Sequence, residues 1–227
     1  MKILCIIPAR RDSKGIPGKN WKVLNNKPLI SYSIEVAQNC DKIDTICVST
    51  NSEDVIQIAE NMGIQIPFTR PESLSLDTTP SYDVLLHAIN YYEDLNLHFD
   101  AILLLQPTSP FREIQFLQEA IEVFKNNDCD MVVSVNETSF NPYYNLYNET
   151  NGFIHRSIKS NFTRRQDCPI TYVVNGSIYV ISVSSLKKQQ LHEMEKVVKY
   201  VIPEEYSVDL DTLTDWKKAE EYLISKS

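Results

Sequence analysis

The sequence predicts an α/β protein built on a mostly parallel sheet flanked by helices. Three observations lead there. Runs such as Lys2–Pro8, Thr45–Thr50 and Ala101–Gln106 have the apolar density of strands buried on both faces. Stretches with helical spacing lie between them. Glycine or proline closes these segments, as at Gly63 and Pro107–Pro110. Strands alternating with helices of this length pair in parallel, because each helical crossover returns the chain to the same end of the sheet.

Taken in order, Lys2–Pro8 is the first strand. Leu29–Asn39 is a helix with Leu29, Ile30, Ser33, Ile34 and Ala37 on one side. Thr45–Thr50 is the second strand, and Glu53–Met62 a helix stopped by Gly63. Ile64–Phe68 reads as a short strand. Thr79–Tyr92 is helical, with Thr78 or Thr79 as its N-cap. Strand Ala101–Gln106, helix Glu113–Phe124 and strand Met131–Val135 continue the alternation. Between about residues 137 and 170 the pattern breaks. Tyr143, Tyr144 and Tyr147 alternate with Asn and Pro, and Arg156, Lys159, Arg164 and Arg165 follow. That segment reads as an excursion from the sheet. Regular structure resumes at Thr171–Ile181 and Val197–Ile202, and a helix runs from Thr214 to about Ile224.

Composition narrows the function. With 227 residues and 43% apolar content, one domain spanning 1–227 can bury a sizeable core. A formal charge of −8 argues against general nucleic-acid binding, which depends on neutralising phosphates. The five cysteines are scattered, without a CxxC pair or zinc-ligand spacing, so reduced thiols and a cytoplasmic location are expected. The apolar run Ile3–Ile7 is too short for a signal segment, and nothing reaches the length of a membrane span.

Charge is nonetheless uneven. From Arg10 to Lys22 five basic residues (Arg10, Arg11, Lys14, Lys19, Lys22) accompany one acid, Asp12. This loop follows the first strand, at the end of the sheet where open α/β folds bind ligands. Gly15 and Gly18 would let backbone approach an anion, and the basic heads would neutralise it. Neither GxxxxGK[ST] nor GxGxxG occurs, so the loop reads as a phosphate site of another kind, the alternative being a solvated basic turn. Near the other end stands Ser207-Val208-Asp209-Leu210-Asp211-Thr212. If it is extended, Asp209 and Asp211 project to one side, with Cα atoms roughly 6.5–7 Å apart. Two such carboxylates repel unless a cation or proton intervenes, so they read either as a half-site for nucleotide-bound Mg²⁺ or as a solvated surface pair, and the separate basic loop favours the first.

Further blocks complete a pattern. Ile7-Pro-Ala-Arg10, Ser13-Lys14-Gly15, Lys19-Asn20, Arg70-Pro71-Glu72, Asp77-Thr78 with Ser81, and Leu104–Pro110 come first. Arg165-Gln166-Asp167, Asn175–Tyr179 and Asp209–Thr212 follow. Together they resemble the acylneuraminate cytidylyltransferases, including relatives that act on legionaminic-type sugars. The resemblance implies a Rossmann-like nucleotidyltransferase domain whose inserted segment, 137–170 here, exchanges contacts across a homodimer. It implies transfer of CMP from CTP to the anomeric hydroxyl of a nonulosonic acid, N-acetylneuraminate or a legionaminate-like sugar. Ala9, Arg10, Lys14, Lys19, Asn20, Arg70 and Ser81 would hold the nucleotide, with Arg10, Lys14 and Lys19 on its phosphates. Gln106, Arg165 and Tyr179 would contact the sugar acid, and Asp209 and Asp211 would carry Mg²⁺. Two other readings share the scaffold: a cytidylyltransferase for the eight-carbon acid Kdo, and a non-catalytic nucleotide-binding dimer. Kdo enzymes read Gln-Gly-Asp-Glu-Pro where this chain has Gln106–Pro110.

Overall fold

The computed structural model describes residues 1–226, and among them ten strands and six helices. β1 (Ile3–Pro8) is fully buried except at its last residue and leads into the basic loop. β2 (Val23–Leu24) and β3 (Lys27–Pro28) form a small hairpin that delivers the chain to α1 (Leu29–Gln38). The face expected of α1 is buried, together with Ser31 and Val36. β4 (Thr45–Ser49) follows, then α2 (Glu53–Asn61), whose N-cap Ser52 accepts from the Val55 N–H.

Two expectations need correction here. Residues 64–68 form no strand. Pro67 lacks a ladder donor, and pairing along β4 shrinks to one parallel bridge between Thr50 and Thr69. α3 (Ser81–Asp94) is preceded by Pro80 with φ −61° and ψ 145°, and no side chain caps it. Pro80 itself, extended in this way, takes the N-cap position and has no side-chain acceptor to offer, so neither Thr78 nor Thr79 caps the helix.

β5 (Ala101–Leu104), α4 (Ile114–Lys125) and β6 (Met131–Thr138) continue the alternation. After Thr138 the chain leaves the sheet. β7 (Tyr147–Thr150) and β8 (Phe153–Arg156) pair as a hairpin turned by Asn151 and Gly152, both with positive φ. It returns as β9 (Thr171–Ser182), followed by the short α5 (Val183–Leu186), β10 (Val197–Val201) and α6 (Leu213–Lys226). The main sheet has the order β10-β6-β9-β5-β1-β4, and β9 is antiparallel to both of its neighbours. The fold is thus the expected α/β class with a mixed sheet.

β9 carries a large bulge. Residues 175–178 stand opposite the single Ser134, between the pairs Val133–Tyr179 and Val135–Val174. The Ser134 hydroxyl donates to Asn175 Oδ1 (2.6 Å) and accepts from the Ile178 N–H (2.8 Å), which ties the bulge to β6, while the buried Ser177 hydroxyl within it has no hydrogen-bond partner among the described residues.

Two apolar layers cover the faces of the sheet. A third cluster joins Ile16 of the basic loop, Leu210 of the acidic segment, Phe111 and Trp216 of α6. Trp216 is central to it and 3% exposed. Trp216→Ala should therefore destabilise the fold by about 3–5 kcal/mol, read as a lower urea midpoint. An unchanged midpoint would show that α6 does not hold these segments together.

Candidate active site

β1 and β5 end side by side, and the chain leaves each at the same edge of the sheet. A cleft of about 360 Å³ opens there, at the small end of ligand-sized sites. Arg10, Lys19, Asn20, Arg70, Ser81, Gln106, Asp209 and Asp211 all line it, drawn from across the sequence.

The basic loop closes through its own backbone. The Lys19 N–H donates to the Ile16 carbonyl (3.1 Å), and the Lys22 N–H to that of Gly18 (2.9 Å). Asn20 Nδ2 donates to the Arg10 carbonyl (2.9 Å), pinning the two ends of the loop. Lys19 is buried, yet its Nζ reaches the Leu210 carbonyl at 2.7 Å and Asp211 Oδ1 at 3.1 Å. The Leu210 N–H donates to the Thr108 carbonyl (2.9 Å), tying the acidic segment to the turn after β5. Gly15 has a different role from the one its sequence context implied. A Cβ there would stand 2.1 Å from the Asp211 carbonyl oxygen, so glycine admits the acidic segment itself.

Asp209 and Asp211 do share the cleft, but not as neighbours on a strand, since residues 207–211 join no sheet ladder. Hydrogen bonds to Lys19 and Thr108 place them instead. Asp209 keeps a solvent-facing side, yet the protein around it desolvates its carboxyl enough to raise its pKa. A side-chain hydrogen bond from Thr108 opposes this rise, and the charge of Asp211 reinforces it. Arg70 donates through Nε to Ser49 Oγ (3.0 Å) and through Nη2 to the Ser49 carbonyl. Burial pulls its guanidinium down to about 10, a penalty that an anionic ligand would relieve.

Other expected residues fall elsewhere. Of the five basic residues in the loop, only Arg10 and Lys19 line the cleft. Lys14 is largely exposed and paired with Asp77, a lining residue, so it stands at the rim. Arg11 turns to Asp12 and Glu72, and Lys22 lies over the Trp216 ring. Ala9 is fully buried, with its N–H donating to the Ser49 carbonyl (2.9 Å) and its carbonyl accepting from Thr50. It supports the loop without lining the cleft.

Tyr179 lines a second cleft of about 660 Å³, together with Gln106, Asp209, Gly176 and Val174. Burial raises its hydroxyl pKa, and the charge of Asp209 adds to this. The two clefts share Gln106 and Asp209. Arg165 reaches neither; it lies in a third depression whose lining, through Glu137 and Thr138, borders the second. Thr108 and Asp77 were not singled out from sequence as site residues. Both stood inside the motif blocks, and only the fold shows that one fixes Asp209 and the other anchors Lys14.

The donor set fits a divalent cation in a limited way. No group of three or more His, Cys, Asp or Glu that could hold a metal occurs among the described residues. Two carboxylates in a cation-lined cleft suit an ion that takes its remaining ligands from water and substrate phosphate.

Comparison with known proteins places the chain in a family. The cytidylyltransferase family profile matches residues 4–223. A CMP-N,N'-diacetyllegionaminic acid synthase of Legionella pneumophila is 32% identical, over 98% of this chain and 97% of that protein. An N-acylneuraminate cytidylyltransferase of Streptococcus agalactiae is 35% identical over 95% of this chain, which spans about half (52%) of that protein. A solved CMP:2-keto-3-deoxy-manno-octonic acid synthetase complexed with CTP shares the fold, with a TM-score of 0.74 over the full length of both chains and 16% identity. A profile match over nearly the whole length, joined by relatives above 30% identity and by a cleft that gathers the motif residues, makes the assignment plain: the chain belongs to the cytidylyltransferase family.

Proposed function

We propose that the chain transfers CMP from CTP to the anomeric hydroxyl of a nonulosonic acid and releases pyrophosphate. One observation carries this reading: Lys19 of the basic loop bonds the segment that bears Asp209 and Asp211, inside one cleft. Family membership and the relatives' activities on legionaminic and neuraminic acids support it. The Kdo reading has only a likeness of fold in its favour.

In this reading Arg10 and Lys19 neutralise the triphosphate, and Lys14 joins them from the rim by exchanging Asp77 for phosphate. Asn20, Arg70 and Ser81 hold the rest of the nucleotide, over a loop backed by Ala9. The sugar acid occupies the second cleft against Gln106 and Tyr179, so its anomeric oxygen meets the α-phosphorus near the shared residues. Its hydroxyl gives its proton to solvent water, its oxygen bonds the α-phosphorus, and the bond from that phosphorus to the bridging oxygen breaks, that oxygen leaving with pyrophosphate. Such transfer is mostly positioning and charge neutralisation, which these residue types supply. Asp209 and Asp211 would hold Mg²⁺, which when bound neutralises phosphate charge and acidifies the attacking hydroxyl.

The second cleft contains Glu137, Glu204 and Asp209 but no Lys, Arg or His, a poor setting for a carboxylate substrate. The excursion at 137–170 exposes Phe153 (70%) and Ile154 (67%), apolar area suited to a second copy of the chain. A homodimer in which the partner subunit's Arg165 completes the sugar site accounts for both features. Five free thiols suit a reducing cytoplasm, and no helix among the described residues is long and apolar enough to cross a membrane.

Pyrophosphate release tests the reading directly. CTP, Mg²⁺ and a nonulosonic acid should give turnover, and Asp211→Ala should reduce kcat by about a hundredfold or more without loss of fold. A folded protein that turns over no nonulosonic acid would refute it. Arg165→Ala should raise the KM for sugar acid about tenfold while the KM for CTP stays near its original value, as loss of a charge-assisted carboxylate contact requires. Equal rises in the two constants would remove Arg165 from the sugar site.

The raised pKa of Asp209 has a consequence for stability. The folded chain favours its protonated form, so this contribution is full at low pH and is lost as pH rises through the folded pKa. Metal-free Asp209→Asn should therefore gain stability over the parent as pH climbs past the ordinary carboxyl range. Mg²⁺ at neutral pH should raise the parent's Tm more than the variant's. Parallel Tm curves across pH, with equal responses to Mg²⁺, would contradict the assignment.

A further inference from the structure

We propose that Arg112 is a positioning residue for the reaction, a buried clamp that sets the junction between the two clefts and with it the affinity for the sugar acid. The proposal rests on the reading that the second cleft receives that substrate.

Arg112 lies between β5 and α4, lines neither cleft and is 8% exposed. Its Nε donates to the Ser177 carbonyl at 2.7 Å, its Nη1 to Ser33 Oγ at 3.0 Å, and its Nη2 to the Gln106 carbonyl. The three acceptors belong to three elements: the β9 bulge, α1 and the turn after β5. No carboxylate stands within ion-pair distance of it among the described residues. Buried cations are ordinarily paired with an anion, because desolvation disfavours the charge. Here a charge is kept in the interior for two main-chain carbonyls and a serine hydroxyl, with Asp209 acting on it only from beyond ion-pair distance, which is sensible if a rigid, forked donor is what the place requires.

What the fork holds is the junction itself. Gln106 is one of the two residues lining both clefts. Its side chain lies against the bulge, since a Cβ on Gly176 would stand 3.0 Å from Gln106 Oε1. Gly176 also has φ +73°, which favours glycine on conformational grounds. Arg112 grips the main chain on either side of that contact, at Gln106 and at Ser177. The separation of the turn and the bulge, and so the placement of the Gln106 amide, is set by one guanidinium.

Arg112→Lys keeps the charge but offers a point donor that cannot span both carbonyls. In the full-length enzyme it should raise the KM for sugar acid about tenfold and leave the KM for CTP within about twofold. Combined with Gln106→Ala it should add little to the defect of Gln106→Ala alone, because both act through one side chain. Amide hydrogen exchange should quicken at 106–109 and 175–178 while the rest of the sheet keeps its protection. Ser33→Ala is a second probe should the lysine variant fold poorly. Ser33 is fully buried and lines neither cleft, so a rise of about threefold in sugar KM alone would have to pass through Arg112.

Equal rises in both KM values, additive double variants, or a Ser33→Ala enzyme with both constants unchanged would each overturn the proposal. If the parent turns over no sugar acid, the reading of the second cleft fails. Hydrogen exchange then decides the clamp alone: unchanged protection at 106–109 and 175–178 in Arg112→Lys would overturn it, and selective loss there would sustain it.

Discussion

The site depends on one buried ammonium. Lys19 sits where burial disfavours its charge, so it must be bonded, and the Leu210 carbonyl and the Asp211 carboxylate bond it from 191 and 192 positions away. An ammonium has three donors, and these two acceptors leave one for a ligand. The tie is reinforced without charge, because Ile16 and Leu210 are buried in the same apolar cluster. Gly15 allows the close approach, since any side chain there would collide with the Asp211 carbonyl. Packing, sterics and electrostatics thus place the loop and the acidic segment together. Removal of any one of them would loosen the others.

The sheet explains why these groups meet at its edge. β1 is flanked by β4 on one side and β5 on the other, all parallel, so the chain moves off in opposite directions from a central strand. Loops diverge at such a switch point and leave a crevice beyond the strand ends. β9 then enters antiparallel beside β5, and its bulge re-aims the backbone into that crevice. A regular β9 would pair Ser134 with one residue and carry Gly176 away from Gln106. The irregularity is how a sheet with one cleft at its strand ends acquires an adjoining second.

Much of this could be read from sequence, and the failures have physical reasons. The fold class followed from apolar runs and helical spacing because both reflect burial over many residues. Arg10, Lys19, Asn20, Arg70, Ser81, Gln106, Asp209 and Asp211 do meet in one cleft. Spacing misled where tertiary contacts override it: Asp209 and Asp211 are held by Thr108 and Lys19, not by a strand, and residues 64–68 lack the partners that make a strand. The Asn151-Gly152 hairpin was legible through its dipeptide but was masked by the irregular segment around it. Arg112 gave no signal, because neither its burial nor its uncharged acceptors can be inferred from one chain.

The distribution of charge between the clefts also limits how the reaction can be organised. The first cleft sets Arg10, Lys19 and Arg70 against Asp77, Asp209 and Asp211, with Lys14 engaging Asp77 from the rim, so in the proposed reading basic heads are at hand to meet a triphosphate in a chain of net −8. The second has three carboxylates and no base, so a sugar acid entering it alone would be repelled. Filling the first cleft with CTP would not help, because the triphosphate adds negative charge beside Asp209. Two sources of positive charge can reverse this: a cation held by Asp209 and Asp211 at the junction, and a basic residue brought by another subunit. The first acts on the reacting phosphate and the second on the substrate carboxylate, so neither substitutes for the other. In the proposed reading a single subunit thus carries the nucleotide-binding residues but no basic group for the sugar acid, and the shared residues Gln106 and Asp209 mark the boundary where the two substrates would meet.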